Sequence, residues 1–182
     1  VGANLGLHTI ILSRLGYKVK SFEADPNTFK KLKNNLKMNL CKNYKIYDFA
    51  ISDFNGKSKF YQVKNNLTAN TLESSSKKIY GNYKVINVKV NKINKYIPKE
   101  NCLIKLDVEG AEFNILKTLK YSNKVKKKIF FEVNDNLSAK KIFDFIKLNK
   151  LKCLAELNGW KEIKKLRQMP TSWKQGSVLL DK

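Results

Sequence analysis

The chain has 182 residues, 42% of them hydrophobic, which is enough for one domain with a sizeable core. Its net charge of +22 comes almost entirely from lysine, with arginine only at 14 and 167, and the lysines run along the whole chain without forming one block. That distribution, alongside abundant Asn, Ile and Tyr, speaks for compositional bias over a dedicated polyanion site, and the scarcity of arginine removes the usual bidentate phosphate ligand. No apolar run reaches the ~20 residues of a membrane span. Cys41, Cys102 and Cys153 are far apart, odd in number and without metal-ligand spacing, so no metal site is expected and a reduced, cytoplasmic chain is.

The first stretch, Val1-Gly2-Ala3-Asn4-Leu5-Gly6, is a small-residue turn feeding an apolar run, the arrangement of a nucleotide loop at a helix N-terminus. A strand normally leads into such a loop, so that strand is expected before Val1, and a chain lacking it is expected to fold or bind cofactor poorly. Residues 7–15 predict a helix burying Leu7, Ile10, Ile11 and Leu15, stopped by Gly16. Residues 17–23 alternate as a short strand. Asp25-Pro26 then supplies an N-cap and a first helical residue, opening a helix whose inward stripe would be Phe29, Leu32, Leu36 and Leu40.

Residues 45–51 predict a strand, Asn55-Gly56 a turn, and residues 59–63 a strand pairing back as a hairpin. Residues 64–82 are polar and irregular, either a solvated loop or a lid over substrate. Further strands are predicted at 85–90, 103–108 and 128–133, a helical turn at 93–97, and helices through Phe113, Leu116 and Leu119 and over 138–149, the latter burying Ile142, Phe143 and Ile146. The tail reads as strands at 151–157, 160–163 and 177–180, an antiparallel addition at the sheet edge. Strands alternating with helices give an α/β fold with a mostly parallel sheet, and no linker divides the chain, so residues 1–182 are read as a single domain.

In such a sheet ligands bind beyond the carboxyl ends of the strands. Four of those ends carry polar or glycine-rich sequence: the opening loop, Glu23, the segment Asp48 to Asp53, and Asp107 to Glu112. Glu23, 17 residues beyond Gly6, suits the hydroxyls of a ribose. A dinucleotide fingerprint would place glycines at 4 and 7, where Asn4 and Leu7 stand, so a hydride-transfer cofactor is disfavoured.

Val1-Gly2-Ala3-Asn4-Leu5-Gly6, Ser21-Phe22-Glu23-Ala24-Asp25-Pro26, Ala50-Ile51-Ser52-Asp53 with Gly56, Asn70-Thr71-Leu72, and Ile104-Lys105-Leu106-Asp107-Val108-Glu109-Gly110-Ala111-Glu112 resemble the ordered motifs of FkbM-type methyltransferases. The resemblance runs to about Val133, and its most specific part is Asp107 to Glu112. It implies dependence on S-adenosylmethionine and a Rossmann-like three-layer sandwich, with a seven-stranded sheet, an antiparallel last strand and a truncated first one. It implies that Gly2, Asn4 and Gly6 approach the methionine part, that Glu23 holds the ribose, that Asp48, Ala50 and Ser52 flank the adenine, and that Asp107 faces the methionine amine or the acceptor. Ala24 stands where the family usually has proline, and the acid usual just before Val1 lies outside the chain.

Methyl transfer to a hydroxyl asks for positioning and for a group that takes the hydroxyl proton. Glu109, Glu112, Glu132 and His8 are the candidates; Glu109 and Glu132 are favoured because they lie at or just past strand ends. Glu112 suits a helix start as well, and His8 suits a plain helix position. The related Asn-Thr-Leu of the family favours the lid reading of 64–82, with Asn70 and Thr71 facing a polyhydroxylated acceptor. Trp160 and Trp173 fit packing better than sugar stacking. The expected acceptor is a glycan or another small molecule. The rivals are an RNA methyltransferase, opposed by the lack of an Asp/Asn-Pro-Pro-Tyr/Phe tetrapeptide and a Pro-Cys pair, and an inactive nucleotide- or partner-binding module.

Overall fold

The computed structural model describes all residues except 65, 67–68, 73–80, 122–124, 157–158 and 182, and the backbone alone of residue 173. The chain divides into two compact units, Val1–Lys92 and Ile93–Lys182.

In the first unit the elements run α1 (Leu7–Arg14), β1 (Val19–Phe22), α2 (Pro26–Met38), β2 (Tyr44–Tyr47), β3 (Ala50–Ser52), β4 (Gly56–Val63), β5 (Thr71–Leu72) and β6 (Tyr83–Lys92). β1 and β2 pair in parallel, from Val19 against Tyr44 to Phe22 against Tyr47. A four-stranded sheet has the order β3-β6-β4-β5, with β3 parallel to β6 and the other pairs antiparallel. The predicted hairpin at 45–63 is therefore corrected. Its strand splits into β2 and β3, neither of which pairs with β4; β4 lies antiparallel to β5 on one side and to β6 on the other, the β6 ladder running from Gly56 opposite Val90 to Val63 opposite Tyr83. Ala50, Phe60, Leu72, Val88 and Val90 form the core on that sheet.

α2 follows its sequence signals. Asp25 is extended at the N-cap and accepts the amide of Asn27, and Pro26 fills the first helical position, where no amide is needed. Leu32 and Leu36 are fully buried, each side chain contributing about 2 kcal/mol of burial. Thr28 completes the inward face, whereas Phe29 is half-buried and Leu40 lies past the helix end, exposed, at φ 51.

α1 departs from its prediction: Leu7, Ile11 and Leu15 are exposed, at 64%, 47% and 68%, Ile10 is half-buried, and the buried residues are Thr9 and Ser13. The reason lies in where the hydroxyls bond. Thr9 Oγ1 shares a 2.7 Å hydrogen bond with Ser21 Oγ on β1, and Ser13 Oγ accepts the amide of Lys42 and donates to its carbonyl. Small hydroxyl side chains let the helix lie close to the strand, and burial costs them little once they are paired.

In the second unit come a 3-10 turn (Ile93–Lys95), β7 (Cys102–Leu106), α3 (Glu112–Leu116), β8 (Lys127–Glu132), α4 (Asn136–Leu148), β9 (Lys152–Glu156), β10 (Trp160–Glu162) and β11 (Ser177–Asp181). The five-stranded sheet has the order β10-β9-β11-β8-β7. β7 and β8 are parallel, and β11 is inserted antiparallel between β8 and β9. The tail therefore does not simply add a pair at the edge. Register sets Ile104, Ile129, Leu180 and Cys153 in one cross-strand row and Leu106, Phe131, Val178 and Ala155 in the next. All eight are buried, and the buried stripe of α4 is Ala139, Ile142 and Ile146, with Phe143 half-buried beside Lys147.

The fold is mixed α/β. The mostly parallel single sheet expected from the sequence is not what the described residues form: the strands lie in three sheets, with parallel pairs β1–β2, β3–β6 and β7–β8 and five antiparallel pairs, because β4 and β11 each pair antiparallel on both sides. Among the described residues no helix is long and apolar enough to cross a membrane.

Candidate functional site

The opening loop is tied to the end of β1. The amides of Gly2 and Ala3 both donate to the carbonyl of Phe22, at 3.0 and 2.9 Å. Gly2, Asn4 and Gly6 all have positive φ, at 72°, 50° and 97°, the conformations for which glycine and asparagine are suited. A Cβ on Gly6 would stand 2.5 Å from Leu32 Cδ1, so only glycine lets α1 start this close to α2.

Glu23 closes the loop from the other side. Its Oε2 accepts the amide of Asn4 at 2.8 Å and its Oε1 the amide of Asp25 at 2.9 Å. The side chain is buried. Burial raises its pKa above the ordinary carboxylate value, the amides of Asp25 and Asn4 oppose the rise, and the Asp25 charge adds to it. A carboxylate has about four acceptor positions, so the amides of Asn4, Asp25 and Ala24 leave Glu23 capacity for a further ligand hydroxyl. The structure thus brings the Gly2–Gly6 loop and Glu23 together through the Asn4 amide.

Of the adenine-flanking residues, Asp48 is exposed between β2 and β3, Ala50 is buried on β3, and Ser52 is fully buried, its hydroxyl donating to Asp53 Oδ1 at 3.1 Å. Phe22, Tyr47 and Phe49 stack beside this segment, with ring centroids 4.8 to 5.8 Å apart.

The second set sits on the second unit. Asp107 directly follows β7 and forms a 2.6 Å ion pair with Lys105. Extending the β7–β8 register by one residue from Leu106 opposite Phe131 puts Asp107 level with Glu132, at the carboxyl ends of neighbouring parallel strands. Glu109 and Gly110 turn the chain with φ of 54° and 101°. Glu112 holds that turn: Oε1 accepts the amide of Val108 at 3.1 Å and Oε2 that of Gly110 at 3.0 Å. Desolvation pushes the buried Glu112 carboxyl up to about 7, with its own, Val108 and Gly110 amides opposing and the Glu109 charge adding. Glu112 is thereby occupied with shaping the turn that presents Asp107 and Glu109. His8 is exposed on α1, and Trp160 packs edge-on against Phe130. The side chain of Trp173 lies outside the described residues.

Sequence reasoning missed a polar hub. Asp25, only 2% exposed, accepts from Asn27 N and Gln62 Nε2 on Oδ1 and from Thr28 Oγ1 and Asn70 Nδ2 on Oδ2. Asn70 in turn accepts the amide of Val63 at 2.9 Å, and Thr71 is buried. These two side chains are therefore turned to internal partners. The lid reading concerns residues 64–82, of which 65, 67–68 and 73–80 lie outside the described residues. The N-cap signal identified Asp25, but no local rule announces partners 37 and 45 residues away.

The donor set fits S-adenosylmethionine. Asn4 Oδ1 is buried with no hydrogen-bond partner among the described residues; a buried orphan acceptor is costly unless a ligand donor fills it, and the methionine ammonium is such a donor.

The family model for the methyltransferase FkbM domain matches residues 1–157. Among solved structures, the chain is similar to the methyltransferase FkbM from Methylobacillus flagellatus KT, at 14% identity and a TM-score of 0.57 over 98% of this chain and 41% of that one. It therefore spans about two-fifths of that enzyme's length. Weaker likenesses are to a precorrin-8w decarboxylase from Methanobacterium thermoautotrophicum, at 10% identity and TM-score 0.47 over 100% and 77% of the two chains, and to an rRNA methylase from Streptococcus thermophilus, at 11%, 0.46, 99% and 81%. No curated protein matches the chain. With most of its length under the family model, the chain belongs to the FkbM methyltransferase family.

Proposed function

We propose that the chain is a single S-adenosylmethionine-dependent O-methyltransferase domain acting in the cytoplasm on a hydroxyl of a glycan or other small molecule, with the family's seven-stranded Rossmann-like sheet. The observation that carries the reading is the Asn4–Glu23 pairing, which fixes a glycine loop beside a buried carboxylate while the Asn4 side-chain oxygen Oδ1 is buried with no hydrogen-bond partner among the described residues.

In this reading Gly2, Asn4 and Gly6 receive the methionine part, Glu23 accepts the ribose hydroxyls, and Asp48, Ala50 and Ser52 flank the adenine. Asp107 faces the amine or the acceptor, and segment 64–82 covers the acceptor. When bound, the cofactor supplies an electrophilic methyl group on a sulfonium. The acceleration supplied by the protein is then mainly orientation of the acceptor oxygen in a closed site. Glu109 or Glu132 accepts the hydroxyl proton on a carboxylate oxygen.

The test is twofold: calorimetric titration of the protein with S-adenosylmethionine, and mass spectrometry of a saccharide panel incubated with protein and cofactor. Saturable binding with a one-methyl mass gain on a hydroxyl supports the reading. Absence of heat at millimolar cofactor sinks it in favour of an inactive module, and methyl transfer to RNA alone would sink the acceptor assignment.

A further inference from the structure

A groove of about 620 Å³ opens in the first unit beside the polar hub, with Asp25 in its lining and none of the Gly2–Gly6 loop among its described lining residues. One wall is a single face of α2: Asn27, Lys30, Lys31 and Asn34 lie at helical spacings of three and four, next to the buried stripe of Thr28, Leu32 and Leu36. The other wall is the far end of the β4–β6 hairpin. There Gln62 and Lys84 are directly opposed, and Lys64 follows two residues beyond Gln62. Along the same side of that hairpin Phe60, Ile86 and Val88 belong to the core, so the apolar face changes to amide and ammonium where it meets α2.

The groove thus gathers Lys30, Lys31, Lys64 and Lys84 against one carboxylate, Asp25. Four internal donors already engage that carboxylate, which leaves it a weak counter-charge for a ligand. Among the described residues none of the four ammonium groups is in an ion pair. The groove is also coupled to the loop region, because the Asp25 amide donates to Glu23.

We propose that this groove binds an oligosaccharide bearing several negative charges, phosphate or carboxylate, and that this anionic glycan is the acceptor. The role as acceptor rests on the methyltransferase reading; the binding itself does not. The volume and the spread of four ammonium groups over two walls suit several separated charges more than one phosphate. Asn27 and Asn34 supply amides for sugar hydroxyls. Among the described residues no aromatic ring lines the groove, and single-stranded nucleic acid is normally held by base stacking on such rings, so a saccharide is favoured over RNA.

The test is titration calorimetry of the full chain without cofactor, using a phosphorylated tetrasaccharide, a tetragalacturonate, neutral maltotetraose and an oligouridylate. Two variants accompany it, K30E/K31E/K84E and the surface control K140E/K141E on α4, each first shown to melt as the parent does. The expected result is that an anionic tetrasaccharide binds, that raising the salt weakens it, and that the groove variant loses roughly tenfold or more in affinity while the control loses less than about twofold. Whether the phosphorylated or the uronate ligand binds more tightly identifies the anion. Equal losses in both variants, no binding of either anionic saccharide, equal binding of maltotetraose, or tighter groove binding of the oligouridylate would each overturn the proposal. Because no turnover is measured, failure here leaves the methyl-transfer reading standing, and failure of cofactor binding leaves this one standing.

Discussion

Replacing Glu112 by glutamine isolates the one carboxyl whose ionisation opposes the fold most strongly. Burial raises it from the ordinary 4.5 to about 7. Below 4.5 the group is protonated in both folded and unfolded chains, and its contribution to stability is fully present. As pH rises the unfolded chain ionises first, so that contribution is lost between about 4.5 and 7. At about 1.4 kcal/mol per pH unit the loss totals about 3 kcal/mol, of which about 2.5 kcal/mol falls between pH 5 and pH 8. Glutamine keeps one acceptor for the Val108 or Gly110 amide and turns its own amide nitrogen toward the other, a pH-independent cost of about 1–3 kcal/mol. The variant is therefore less stable than the parent at pH 5, and the gap narrows or reverses by pH 8. Urea unfolding of both proteins at several pH values measures this, and the raised Glu23 cancels because both proteins carry it. Parallel stability curves across that range would refute the account of Glu112 as a buried, reluctantly ionised clamp.

Gly6→Ala forces a side chain onto φ 97° and into the fully buried Leu32; a loss of roughly 2–3 kcal/mol is expected, read as a lower melting temperature together with lost cofactor affinity. Asp25→Ala leaves Gln62, Asn70, Thr28 and the Asn27 amide without their acceptor and should cost about 3 kcal/mol or more, whereas Gln62→Ala alone should cost about 1 kcal/mol; denaturant melts returning equal losses would dismiss Asp25 as a hub. Glu109→Gln should bind cofactor normally and lower kcat about a hundredfold if Glu109 takes the acceptor proton; full turnover passes that role to Glu132. Ribose hydroxyls donating to Glu23 favour its ionised form, so cofactor affinity should fall as pH drops through its raised pKa, and calorimetry giving a flat affinity down to the acid limit at which the protein stays folded would remove Glu23 as the ribose acceptor.

What was legible in the sequence was what short-range chemistry decides. Asp25-Pro26 announced both the cap and the first turn of α2, and the residues of Asp107 to Glu112 announced a strand ending in a carboxylate-bearing turn. What was illegible depended on partners far along the chain. The periodicity of α1 pointed to Leu7, Ile10, Ile11 and Leu15 as its inward stripe, because a buried hydroxyl looks unfavourable until its acceptor is known. Thr9 and Ser13 find theirs on Ser21 and Lys42, and no window of local sequence contains both ends of either bond. The pairing of β4 failed for a related reason. A turn at Asn55-Gly56 reads as a hairpin between its flanking strands, yet Asn55 Oδ1 accepts the amide of Lys92 and the ladder forms with β6.

The same long-range bonds explain why the candidate site has two carboxylates two residues apart without acting as an acid pair. Glu23 is held by backbone amides, from Asn4, Asp25 and Ala24, a set that orients it toward the loop and leaves acceptor capacity. Asp25 is saturated by one amide, one hydroxyl and two carboxamides, which fixes the hairpin end to α2 and leaves little for a ligand. Each therefore has a distinct duty, Glu23 toward the cofactor loop and Asp25 toward the groove wall. The single bond between them, from the Asp25 amide to Glu23, makes the position of the Glu23 carboxylate depend on the hub that also sets the lysine groove.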